Sequence, residues 1–376
     1  MTPADLSRTV LHAVRRAVDE DALRVAVPPR VRVERTRPGG SGEYACAVAL
    51  QLAGPAELPA REVARILKER IAAEPGIGRV DITGPGFLCL TLDAGADGAA
   101  RVALVREVAA RGNEYGHGTA LRGEAPLLTH AAEVRAAVTA DAVAALLRSQ
   151  GAAPRTAPTG PVDPAWSGLG VAATGTASGP ATAGTDGRDG TAETIRPVPA
   201  GAAAADLLVR LGSDAARWGL LRAANHDRAA LGDGLLVQSA GNPLFLVRYA
   251  HARAHAVTRA ARALGVHEAP GPNGEPAAYD NAAYGEPAAL ALAALLADHP
   301  AVLLAAARHR APDRLARHLE AVAHAFFDFH DACPPLPAGD EKPSAAHRSR
   351  PALAEATGTV LAGGLSLLGI SAPKHL

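Results

Sequence analysis

Asn242-Pro-Leu-Phe-Leu-Val-Arg-Tyr-Ala-His-Ala-Arg253 opens the segment that decides the fold. Asn242 and Pro243 suit a helix start: the Asn side chain can cap the first free amides, and Pro needs no amide partner there. Turned at about 100° per residue, the segment through Leu264 places Tyr249, Ala250, Val257, Ala260, Ala261 and Leu264 on one side, a core stripe. Arg248, His251, His255, Arg259 and Arg262 gather on the other side. Arg253 falls in the middle of the apolar side, where a guanidinium left unpaired is very costly. The polar stripe reads either as a solvated face or as a face that meets phosphates or bases. No acidic residue interrupts 242–262, which favours the second reading.

Helical periodicity extends outward from this segment. It predicts helices over 203–211, 213–224, 242–264, 286–307, 312–332 and 350–369, with a Gly- and Pro-rich loop at 265–287 and a polar loop at 334–349. Residues 201–376 thus read as an all-α bundle. Upstream, 126–150 reads as one helix with Val134, Val138, Ala142, Leu146 and Leu147 as its stripe. Between the two, residues 151–200 are rich in Gly, Ala, Thr and Pro and nearly free of Leu, Ile and Phe. Such a stretch buries too little to offset its ordering entropy, and it reads as a disordered linker.

The first 112 residues read as a small α+β domain. Leu6, Val10, Leu11, Val14 and Val18 recur at helical spacing over 3–20. Alternation predicts strands at 31–35 and 44–52, with Pro38-Gly-Gly-Ser-Gly42 as the turn between them. A helix follows at 60–73. A last strand pair at 78–92 is broken by Gly84-Pro-Gly86 before Phe87.

Composition narrows the function classes. Formal charge is zero, which counts against tight nonspecific binding through many phosphates but leaves room for a local basic face. Only Lys68, Lys342 and Lys374 are lysines, so the basic residues are nearly all arginine. Aromatics are 3% of the chain, so each carries weight. Cys46, Cys89 and Cys333 lack metal spacing and read as buried or free thiols of a reducing compartment. His324, His330, Asp328 and Asp331 share one helix, but their spacing does not make a metal site. No apolar run approaches the roughly 20 residues of a membrane span, and the polar start is not a signal peptide. A cytoplasmic protein without metal, cofactor or membrane partner is expected.

Two ends of the chain resemble one family. Asn242–Arg253 and the tail Leu365-Ser-Leu-Leu-Gly-Ile-Ser-Ala-Pro373 resemble the DALR-type anticodon-binding domain of arginyl-tRNA synthetases. Asp214-Ala-Ala-Arg217 and Ala311-Pro-Asp-Arg-Leu-Ala-Arg317 resemble elements of the same bundle. Residues 5–92, with Gly84-Pro-Gly-Phe87, resemble the additional domain at the amino terminus of these enzymes, which contacts the tRNA corner. The candidates for RNA contact are Asn242, Arg248, Tyr249, His251, Arg253, His255, Arg259, Arg262 and Phe87, although the position of Tyr249 favours packing over base stacking, Arg253 reads first as the tie of a buried network within the bundle and second as an RNA contact at an edge, and Phe87 reads first as packing inward beside its tight turn. A second basic cluster comprises Arg308, Arg310, Arg314 and Arg317. The chain departs from the family at Leu246, where an aromatic is usual, at Arg248, where Gln is usual, and at Cys333-Pro-Pro335.

The segment Pro126-Leu-Leu-Thr-His-Ala-Ala-Glu-Val-Arg135 resembles the first ATP-binding signature, but Ala131, Ala132 and Glu133 stand where Gly and a second His are needed. No Lys lies between Lys68 and Lys342 to supply the second signature. Several βαβ units of roughly 30 residues each would be required for a nucleotide-binding sheet, and 113–150 reads as a helical remnant followed by linker. His130 reads as a vestigial surface residue. These observations lead to three expectations, ranked in this order. The first is a protein that binds tRNA, arginine tRNA foremost, without catalysing aminoacylation. The second is a module that binds another protein, such as a full-length synthetase. The third is an enzyme that uses charged tRNA.

Overall fold

The computed structural model describes residues 3–36, 42–92, 94–171, 192–266 and 284–376. The chain forms two compact units, Met1–Ala103 and Leu104–Leu376.

The first unit begins with helix α1 (Pro3–Asp19), then strands β1 (Val33–Arg35) and β2 (Tyr44–Cys46), helices α2 (Val48–Ala53) and α3 (Ala60–Ala72), and the hairpin β3 (Ile77–Thr83) and β4 (Phe87–Leu92). The sheet is antiparallel with strand order β1-β2-β4-β3. Leu6, Val10 and Val14 of α1, Leu67 and Ile71 of α3, and Leu88 and Leu90 of β4 are fully buried and make its core. Alternation predicts a strand over 44–52, yet β2 stops at Cys46. Val48, Ala49 and Leu52 are the buried positions beyond it, a helical spacing in a run whose Ala, Leu and Gln residues favour helix. Gly84 and Gly86 take positive φ, and a side chain on Gly86 would meet the Ala60 backbone at 3.0 Å. The turn's glycines therefore answer both a conformational and a packing need.

Helix α4 (Ala94–Arg111) runs across the division of the chain. The second unit then departs from expectation. Strand β5 (Leu127–His130) precedes α5 (Val134–Ser149), so the single helix predicted over 126–150 divides in two. Of the stretch expected as linker, Arg155–Pro158 forms β6 and Ala192–Ile195 forms β7, both parallel to β5 and on either side of it. A 3-10 turn at Pro164–Leu169 buries Trp166 and Leu169. Two large side chains and three four-residue strands anchor these parts where overall composition suggests none could. The rest of the linker, 172–191, lies outside the described residues. The segment 113–150 is thus one arm of a β-α-β unit and not a helical remnant alone.

Downstream come α6 (Ala204–Arg222), α7 (Pro243–Ala263), α8 (Pro287–His309), α9 (Pro312–Ala332) and α10 (Ala345–Leu367). Gly212, at φ 72 and ψ 171, breaks α6 where the sequence predicts two helices. Helix α10 starts earlier than predicted because Ser344 and His347 form a reciprocal cap, with His in the place usually held by Glu or Gln. Helix α7 lies between α9 and α10, and α8 packs on α9. Helix α8 is long and apolar enough to cross a membrane by length and composition, an apolar run that the sequence reading passes over. Leu292, Leu296 and Leu303 of this helix are buried within the bundle.

Two buried arginines tie the β-α-β unit to the helices. Arg135 of α5 donates all five of its N–H groups to carbonyl oxygens, those of Leu220, Val198, Asp227, Ala223 and Ala224. Arg217 of α6 donates to Leu368 O at 2.7 Å, Leu169 O at 2.5 Å and Asp141 Oδ2 at 2.7 Å.

Candidate nucleic-acid interface

Helix α7 carries eight of the residues expected to contact RNA or sits directly after them, and the structure sorts these into three groups. Asn242 is committed to the fold. Its Oδ1 accepts from Leu244 N at 3.1 Å, and its Nδ2 donates to the carbonyls of Leu235 and Val237 at 2.8 and 2.9 Å. Buried and fully bonded, it positions the start of α7 and has no polar atom left for RNA.

The second group lines a cleft of about 640 Å³ between α7, α10 and the tail that follows α10. His251, His255, Arg259 and Arg262 face it from α7, and Lys374 joins them from the tail. Glu355 of α10 is the one carboxylate in the lining and holds Arg262 Nη2 at 2.6 Å. The tail is tied along the helix: His251 Nδ1 donates to Pro373 O at 3.0 Å, and Arg259 Nη1 approaches His375 Nε2 at 3.4 Å. Ser371 bonds Asp214 through its amide at 3.0 Å and through its hydroxyl. Arg248 sits beside that link, 3.6 Å from Asp214 and 3.4 Å from Ser371 Oγ. Burial, first, and then the charges of Lys374, Arg259, His375 and Arg262 hold His255 below the usual histidine range. Burial also lowers His251, against the pull of the Pro373 carbonyl.

The third group occupies the opposite edge of α7, against α9. The helical wheel places Tyr249 in the core, but it is 42% exposed. Its ring stacks between Phe245, at 5.5 Å, and Phe327, at 5.3 Å. Arg253 is likewise exposed instead of buried, and its Nε lies 3.4 Å from His330 Nε2. The wheel fails here because the core of α7 is formed by Leu244, Leu246, Val247, Ala250, Ala254, Val257 and Ala261. That stripe is rotated from the predicted one by the flanking α9 and α10, and it leaves Leu264 exposed as well.

Phe87 belongs to the first unit and is 38% exposed at the start of β4. The second basic cluster is partly neutralised: Arg310 pairs with Glu193 at 2.7 Å and Arg317 with Asp313. His130 is buried, not on the surface; its Nδ1 lies 2.8 Å from Ala131 O and its ring tilts against Trp166. Lys374, His375, Glu355 and Phe327 escape the sequence reading because chain folding, not local pattern, brings them to α7.

Comparison with known proteins bears on this arrangement. Residues 247–376 match the family model described as the DALR anticodon binding domain, and residues 5–92 match that of the arginyl tRNA synthetase N terminal domain. Over these two regions the chain is similar to the arginyl-tRNA synthetases. An arginine–tRNA ligase of Renibacterium salmoninarum aligns with this chain at 28% identity over 563 positions, covering all of both chains. That of Pseudarthrobacter chlorophenolicus is 40% identical over 174 residues, 46% of this chain and 30% of the other. The arginyl-tRNA synthetase structures of Thermus thermophilus and Plasmodium falciparum share the fold, with TM-scores of 0.62 and 0.68 at 15% and 8% identity, each covering all of both chains.

These relatives correct one expectation. Substituted signature residues suggest that the chain is not an enzyme, yet relatives aligned over its whole length are named as ligases. The inference of lost catalysis rests on two short motifs, and short motifs are weak evidence. The parallel strands β5, β6 and β7 around α5, which the sequence reading also misses, belong to the same correction.

Proposed function

We propose that this synthetase relative binds tRNA, with arginine tRNA as its first candidate, through the two edges of α7. The observation that carries the reading is the cleft, where four predicted polar residues of α7 meet Lys374 against a single carboxylate. Arginine side chains there suit phosphate oxygens, which fix register without reading sequence. The half-buried stack of Phe245, Tyr249 and Phe327, whose most exposed member is Tyr249, suits an unpaired base from a loop, since sequence-specific RNA recognition takes splayed bases on aromatic rings. The match of residues 247–376 to the DALR anticodon binding domain, and the likeness to arginine–tRNA ligases, support an anticodon stem-loop as the RNA element. The amino-terminal unit, with Phe87 exposed at its Gly-Pro-Gly turn, is assigned the tRNA corner.

The test is a fluorescence anisotropy titration of the full chain with labelled arginine tRNA and an unrelated tRNA over a range of salt. Preference for arginine tRNA with affinity falling as salt rises is expected. Equal, feeble binding to both would overturn the reading and direct the search to protein partners.

A further inference from the structure

The cleft beside α7 contains an atom that its RNA-binding role leaves unused. His255 Nδ1 is shielded from solvent and has no hydrogen-bond partner. The group sits in the most cationic part of the lining. Arg259 and Arg262 are on its own helix; Lys374 and His375 come from the tail, whose imidazole meets the His255 ring edge-on at 6.2 Å. His251 flanks it one turn earlier. From α10 the facing groups are Glu355, already engaged by Arg262, and the hydroxyls of Thr359 and Ser366. Burial first, and then these cationic neighbours, disfavour the charged imidazole. An arriving negative charge would favour the second proton.

We propose that the cleft is a phosphate site that takes up a proton with its ligand, His255 becoming charged as a phosphate group enters between it, Arg259 and Lys374. The ligand class is a phosphodiester or a free phosphate anion, and the proton comes from solvent. This rests on the reading of the cleft as an RNA contact for the RNA source of phosphate, and stands apart from it for the free anion. The direction follows from charge alone: an anion a few ångströms away favours the charged imidazole, and shifts of about one to three pH units accompany such pairs. Phosphate binding is therefore tighter below neutral pH than above it.

The experiment is a histidine-ring NMR titration of the full chain from pH 5 to 8.5, alone, with inorganic pyrophosphate and with arginine tRNA. His255 is identified through His255→Gln, and His226, 85% exposed, serves as internal reference. The expected result is a rise of the His255 midpoint by about one unit or more with pyrophosphate, with His226 unmoved. Lys374→Gln, a tail residue outside the core, should reduce that rise. An unchanged His255 midpoint, or an equal rise at His226, would overturn the proposal. If tRNA fails to bind in the anisotropy assay while pyrophosphate moves His255, the RNA reading falls and the anion site stands. If tRNA binds while neither ligand moves His255, the proton-linked site falls and the RNA reading stands.

Discussion

Arg217 and Asp141 form an ion pair at 2.7 Å in which the guanidinium is almost wholly buried and the carboxylate only partly so. The pair joins α6 to α5, and the rest of the fork reaches the carbonyls of Leu169 and Leu368. The C-terminal end of α10 is thereby fixed to the same point from which the tail departs toward the cleft.

Arg217→Lys should therefore destabilise the helical unit by about 3 kcal/mol, since an ammonium cannot span three acceptors and breaking a buried charged network costs on this order. Denaturant unfolding followed by circular dichroism measures it. Gly369→Ala should act at the same point. Gly369 has φ +68, and an added Cβ would overlap the Arg217 guanidinium. A loss of roughly 2 kcal/mol is expected from the left-handed backbone and the overlap together. A loss below half that value would show that the guanidinium moves aside freely.

Stability should depend on pH through His299 and His318. Their rings stack at 5.3 Å between α8 and α9. Burial lowers His299 to about 3, aided by the charges of His318 and His117, and burial lowers His318 to about 4. Unfolded, each titrates at about 6.5. The unfolded chain thus binds more protons between these values, and folding stability, fully present above about pH 6.5, declines as pH falls through 6.5 toward 4. At pH 5 the expected loss is about 2 kcal/mol per histidine. Thermal melts of the chain and of His318→Gln, which should show about half the slope, check this.

Tyr249→Ala should weaken arginine tRNA binding by roughly tenfold, since base stacking contributes about 1–3 kcal/mol. It should cost only about 1 kcal/mol of stability, the loss of two aromatic contacts at a partly exposed site. A large drop in melting temperature without loss of binding would make the stack a structural one.

Arg259→Ala and Arg262→Ala should each reduce the steepness with which affinity falls with salt by about one phosphate's worth. Asn242→Ala should instead cost about 1 kcal/mol of stability or more as a lost helix cap and leave the salt dependence alone. Anisotropy at several salt concentrations, beside denaturant unfolding, separates the two kinds of residue.

Much of this was legible in the residues. Helix α7 is announced by its cap, its proline and its unbroken polar stripe, and four of its polar residues do meet in one cleft. Other parts had no local signal. Strands of four residues, such as Leu127–His130, are too short to outweigh the helical periodicity that follows them. Arg253, which the wheel puts on the apolar side, is exposed, while Arg135 and Arg217 are the buried arginines among the described residues. Their partners are mainly backbone carbonyls, and a carbonyl leaves no mark in a sequence. Lys374 enters the cleft, and His375 meets Arg259 and His255 beside it, because the chain turns back after Leu367, a path that local propensity does not encode.

The hub at Arg135 has an evolutionary corollary. Its five acceptors are main-chain oxygens at positions 198, 220, 223, 224 and 227. Any amino acid that keeps the same backbone course supplies the same oxygen. The hub itself therefore places no demand on the side chains at those five positions; position 220, whose Leu is buried, is held by packing instead.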